Sequence, residues 1–120
     1  MLQPVKAPTE TPSDIHEAMK AGRVILIDVR EPSEYASERI HGALLYPLST
    51  FDPAGLPDEE GKQVVLHCGS GKRSEAAWNK AGAAGIRLRS HMAGGLLAWK
   101  AAGLPVVTTD PATGGLKDGG

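Results

Sequence analysis

The chain has 120 residues, 41% of them hydrophobic, with a formal net charge of −1 and one cysteine. That length fits one compact domain and is too short for two, and the near-neutral charge gives no electrostatic case for nucleic acid or an anionic membrane as a partner. A single thiol excludes an internal disulfide, and no apolar run approaches the roughly 20 residues a membrane helix needs.

The first residues, Met1 to Lys6, contain no apolar stretch of the kind that directs export. Together with a free thiol, this predicts a cytoplasmic protein. Residues 1–10 and 108–120 lack periodicity and are rich in Pro, Thr, Gly and Asp, so they read as flexible tails around a domain spanning 11–107. Thr11-Pro12-Ser13-Asp14 has the form of a helix start, with a capping hydroxyl, a proline at the first helical position and an early acid. Ile15, Ala18 and Met19 then share one face before Gly22. Val24 to Val29 is an unbroken apolar run apart from Asp28, as in a strand covered on both faces. Pro32 to Ser37 reads as a short helix and Ala43 to Leu48 as a weaker strand. Val64 to His67 is a second buried strand, followed by a helix from about Ser74 to Ala84, a short strand at Ile86 to Arg89 and a last helix at Leu96 to Ala102. Alternating strands and helices predict an α/β fold around a parallel sheet.

Sites on open parallel sheets form beyond the carboxyl ends of the strands. Two strands here end in reactive residue types, at Asp28-Val29-Arg30 and at His67-Cys68, on the same predicted edge. After Cys68 the chain reads Gly69-Ser70-Gly71-Lys72-Arg73-Ser74 into a helix start. A helix N-terminus is electropositive, and with Lys72 and Arg73 it lowers a thiol pKa and populates the thiolate. Gly69 and Gly71 allow positive φ, so that successive N–H groups turn inward as a nest for an anion. The segment thus specifies a nucleophile within a cradle for negative charge. Arg73 in a first helical turn opposes the helix dipole, which favours a site role over a solvated one, while Lys72 divides evenly between exposure and attraction of substrate. Asp28 and Arg30 are either a structural ion pair or direct contributors to the site. His67, one residue before Cys68 on a strand, faces the other way and reads as a core histidine.

The blocks Cys68-Gly69-Ser70-Gly71-Lys72-Arg73-Ser74, Asp28-Val29-Arg30-Glu31 with Glu34-Tyr35, Ile40-His41-Gly42-Ala43, and Gly94-Gly95 with Trp99 together resemble the rhodanese-like domain family over roughly residues 12–107. The resemblance implies a five-stranded, mainly parallel sheet with helices on both sides. It also implies double-displacement sulfur transfer through a persulfide on Cys68, from a small anionic donor such as thiosulfate to cyanide, a small thiol or a protein. The residues from Gly69 to Ser74 would bind substrate, with Arg30 as a further contact and Asp28 as support. No cofactor is implied. One position departs from the family's habit, with Arg39 where a histidine usually precedes the isoleucine, and this is expected to change a local hydrogen bond rather than the chemistry.

Rival readings are weaker. A cysteine phosphatase or arsenate reductase places five residues between Cys and Arg, whereas four intervene between Cys68 and Arg73, giving a cradle sized for one sulfur rather than a tetrahedral oxyanion. A nucleotide P-loop would need Gly and Ser or Thr where the chain has Leu66 and Arg73. His16, His41, His67 and His91 show no metal-ligand spacing, so no metal is expected. A non-catalytic binding module is the remaining alternative. Trp99 reads as a core anchor, with Gly94-Gly95 letting backbones approach.

Overall fold

The computed structural model describes residues 6–110 and 113–119. Five strands, β1 (Thr9–Glu10), β2 (Val24–Asp28), β4 (Leu44–Leu45), β5 (Gln63–His67) and β6 (Ser90–Met92), form one sheet in the order β1-β6-β5-β2-β4. Every pairing in it is parallel. The predicted five-stranded α/β architecture is the one observed.

Side-chain alternation along the central strands divides the core between the two faces. Val24 and Leu26 of β2 and Val65 of β5 join Ile15 and Ala18 of α1 (Pro12–Lys20) and Leu96 and Trp99 of α4 (Gly95–Ala101). On the opposite face Ile27, Val64 and Leu66 pack with Ala77 and Ala81 of α3 (Lys72–Ala83). Small alanines on α3 bring that helix close to the sheet, as expected of a core with so few aromatic residues. Trp99 is buried, donates its indole N–H to Pro105 O at 2.8 Å and takes the His16 ring edge-on at 5.3 Å. The start of α1 is as its sequence predicts: Thr11 Oγ1 accepts from Asp14 N at 3.2 Å, and Pro12 opens the first turn.

Three features differ from the sequence reading. The strand expected at Ile86 to Arg89 lies instead at Ser90–Met92. Ile86 N is consumed by Ala81 O at the helix end, and only from Arg89, whose N–H meets Val64 O at 3.0 Å, does the chain pair with β5. Secondly, Thr9 and Glu10 are not a loose tail but pair with His91 and Met92. Glu10 is held there by Arg89, at 2.9 Å, and by the Ser90 hydroxyl. Thirdly, β7 (Val106–Thr109) makes a second, antiparallel sheet with β3 (Glu38–Arg39) and β8 (Leu116–Gly119), where a flexible tail was expected from residue 108. Residues 1–5, 111–112 and 120 of the two expected tails lie outside the described residues. Within β3, Arg39 donates to Tyr35 O at 3.4 Å and stacks its guanidinium 5.2 Å from the Tyr35 ring.

The parallel register sets Asp28 directly beside His67. The two strand ends marked out by the sequence therefore leave the sheet side by side.

Candidate functional site at the carboxyl edge of the sheet

Cys68 follows β5 directly and is only 1% exposed. Its sulfur receives the N–H groups of Gly71 at 3.1 Å and Ser74 at 3.3 Å, and its thiol reaches Ser74 Oγ at 3.6 Å. Burial by itself pushes the thiol up, but hydrogen bonds from the Ser74 hydroxyl and from the N–H groups of Ser74, Gly71 and Ser70 outweigh it, leaving the Cys68 thiol below its ordinary value. A hydroxyl and the loop amides are the chief causes of the lowering, and Arg73 interacts electrostatically with the same sulfur. Lys72 is exposed. Arg73 is occupied by Glu34 of α2 (Pro32–Ser37), with Nη1–Oε1 at 2.6 Å and Nη2–Oε2 at 3.0 Å.

The inward turn of the loop amides has a visible cause. Leu96 N donates to Cys68 O at 2.8 Å and Leu97 N to Gly69 O at 3.1 Å, so the first turn of α4 holds the carbonyls of the loop. A trans peptide places its N–H opposite its C=O, so drawing the Gly69 carbonyl to α4 turns the Ser70 amide toward the sulfur, one of the amides that lower the thiol. This contact demands backbone against backbone. A Cβ on Gly95 would stand 2.5 Å from Cys68 O and 2.7 Å from Gly69 C, and Gly95 has φ +61°. Gly71, with φ +111°, caps α3 and completes the turn. Gly69 keeps a negative-φ conformation, contrary to its expected role; there a Cβ would stand 3.3 Å from Arg73 Nη2.

Asp28 and Arg30 form a buried pair. The carboxylate accepts from the Arg30 backbone N at 2.9 Å, from Nε at 3.0 Å and from Nη2 at 2.8 Å, and Arg30 Nη2 also donates to Glu38 O at 2.6 Å. This geometry has the form of the structural ion pair, one of the two readings left open by the sequence: Arg30 is 4% exposed, with Nε and Nη2 engaged by Asp28 and Glu38. Asp28 reaches the loop through His67, whose Nε2 stands 3.4 Å from Oδ2 without hydrogen-bonding geometry, while His67 Nδ1 donates to Cys68 O at 3.2 Å. Burial holds the His67 imidazole below its ordinary value against the pull of Asp28, so it is neutral at neutral pH.

Two residues at the site carried no role in the sequence reading. Glu34 was visible only as part of a motif. His91, on β6, stands with Nδ1 2.8 Å from Ser74 Oγ. Neither is near Cys68 in sequence, and no local signal pairs them with it. Among the described residues, no group of three or more His, Cys, Asp or Glu side chains gathers as a metal site would require. No helix among them is long and apolar enough to cross a membrane.

Residues 11–102 match the model of the Rhodanese-like domain. The chain belongs to this family. The rhodanese-like domain seen here is 46% identical over 101 residues to an uncharacterized protein of Synechocystis, covering 84% of this chain and 56% of that relative, so it spans little more than half of the relative's length. It is 32% identical over 87 residues to a protein of Allochromatium vinosum named Sulfurtransferase, covering 72% of this chain and 81% of the relative. Among solved structures, a rhodanese-related protein from Thermoplasma volcanium superposes with a TM-score of 0.71 at 29% identity, covering 83% of this chain and 97% of that one.

Proposed function

We propose that this rhodanese-like domain is a sulfurtransferase that carries sulfane sulfur as a persulfide on Cys68. The observation that carries the reading is the convergence of the Gly71 and Ser74 N–H groups on Sγ at 3.1 and 3.3 Å, with the thiol held below its ordinary pKa. The likeness to a protein named Sulfurtransferase supports it.

In the first half-reaction the Cys68 thiolate attacks the outer sulfur of an anionic donor such as thiosulfate. The new S–S bond forms as the donor's own S–S bond breaks, and sulfite departs with that electron pair. The terminal sulfur then bears the negative charge, and the loop amides stabilise it as preorganised donors stabilise an oxyanion. In the second half-reaction a nucleophile (cyanide, a small thiol or a protein thiol) attacks the terminal sulfur and returns Cys68 as thiolate. Cys68 is the chain's one cysteine, so no resolving thiol is available within this chain.

The test is thiocyanate formation from thiosulfate and cyanide by wild type and Cys68→Ser, together with intact mass after thiosulfate treatment. The expected result is turnover and the mass gain of one sulfur atom in wild type, with both absent in the folded variant. Equal rates in the two proteins would refute the persulfide mechanism. If neither turns over, p-nitrophenyl phosphate distinguishes a phosphatase from a binding module.

A further inference from the structure

Ser74 Oγ lies at the centre of three polar contacts. It is 3.6 Å from Cys68 Sγ, 3.1 Å from Gly71 O and 2.8 Å from His91 Nδ1. The hydroxyl has one proton and three neighbours able to accept it, so the state of His91 decides where that proton goes. His91 is 4% exposed, and its other ring nitrogen, Nε2, is buried without a partner. A proton on Nε2 would be an orphaned buried N–H, the rarer and costlier of the two unpaired states. A proton on Nδ1 has an acceptor waiting at 2.8 Å in Ser74 Oγ.

We propose that His91 is a positioning residue for the nucleophile: neutral, protonated on Nδ1, it donates to Ser74 Oγ and so leaves the Ser74 proton free to move between Gly71 O and Cys68 Sγ. In the thiol state the hydroxyl donates to Gly71 O and accepts from both His91 and the S–H group. When the thiol ionises, the hydroxyl turns from Gly71 O to the sulfur and supplies a further donor beside the loop amides. The imidazole keeps its proton throughout, so the ring directs the hydroxyl and does not act as the base. The charged groups on the elements around His91 are Glu75 on α3, which favours the imidazolium, and Glu10 on β1, already bound by Arg89 and Ser90. Burial outweighs Glu75 and keeps the ring neutral.

This deepens the proposed function and rests on it only in taking Cys68 as the reacting atom; the test needs no sulfur donor. The thiolate of Cys68, the chain's one cysteine, is titrated by its ultraviolet absorbance, with Cys68→Ser as the blank. In His91→Leu the hydroxyl loses its donor in the thiolate state, and the thiol pKa is expected to rise by about half a unit to one unit. His91→Asn, whose amide nitrogen can take the place of Nδ1, should recover much of the shift, and in a Ser74→Ala background His91→Leu should add nothing. The opposite tautomer predicts the opposite sign: Ser74 would then be spent on His91 in wild type, and His91→Leu would release it to the sulfur and lower the pKa. A lowered or unchanged pKa in folded His91→Leu overturns the proposal. Should the variant fail to fold, the imidazole nitrogen-15 spectrum of wild type decides, since a ring proton on Nε2 is incompatible with it.

Discussion

Arg73 and Glu34 meet fork to fork across the loop, at 2.6 and 3.0 Å, each side chain 38% exposed. The loop's arginine is thus already neutralised before any anion arrives, and a donor that uses Arg73 has to compete with Glu34 for it.

Removing the competitor should therefore help the donor. Glu34→Gln is expected to lower the KM for thiosulfate several-fold while changing kcat less, because the freed guanidinium contributes to binding rather than to the chemical step. Steady-state kinetics at low ionic strength measure this, and an unchanged KM would remove Arg73 from the donor's contacts.

The same pair has a defined pH signature. Its hydrogen bonds with Arg73 hold the Glu34 carboxyl at about 2, down from 4.5. A carboxyl depressed in the folded state contributes stability that is fully present above its unfolded value and is lost as pH falls through the folded one. The stability gap between wild type and Glu34→Gln should stay constant down to the usual carboxylate range and close as the pH nears 2. Both side chains are partly in water, so the gap is small, under about 1 kcal/mol. Urea unfolding at a series of pH values reads it, and a gap that widens on acidification would contradict the assignment.

Gly95→Ala should be far more damaging than its size implies. The added carbon would stand at 2.5 to 2.7 Å from backbone atoms of Cys68 and Gly69, which cannot swing aside as a side chain would. The expected outcome is a loss of about 2 kcal/mol or more together with a raised thiol pKa, since the loop amides lose their alignment. Gly22→Ala, at φ +72° with no atom within 4 Å, is the control for conformational strain alone. Thermal melts and thiolate titrations of the two variants should diverge.

Arg30→Met would leave the Asp28 carboxylate buried without its partner, at a cost of about 3–5 kcal/mol. If Arg30 acts through the fold and not on the donor, activity per folded molecule should persist at low temperature while the melting temperature drops. Loss of turnover with an undiminished melting temperature would instead place Arg30 against the substrate.

Much of the fold was legible because its signals are local. The apolar runs ending at Asp28 and His67 could only be buried strands, and Thr11 to Asp14 spells a helix start in four residues. The displaced β6 shows where such reading fails. Ser90 and His91 look polar, and nothing adjacent reveals that Glu10 and Ser74 satisfy them from residues far away in the chain. The short strand Thr9–Glu10 is likewise defined only by its partner, and two residues carry no periodicity of their own.

At the site the same division holds. The order Cys68-Gly-Ser-Gly-Lys-Arg-Ser determined by itself that a thiol would end a strand and open a helix, because nucleophile, turn glycines and helix N-terminus are contiguous. Which groups tune the thiol was decided by tertiary structure alone. Arg73 turns to Glu34, α4 pulls the loop carbonyls aside, and His91 meets Ser74. Each of these contacts joins residues distant in sequence, and the energy of a hydrogen bond depends on distances and angles that only the packed chain sets.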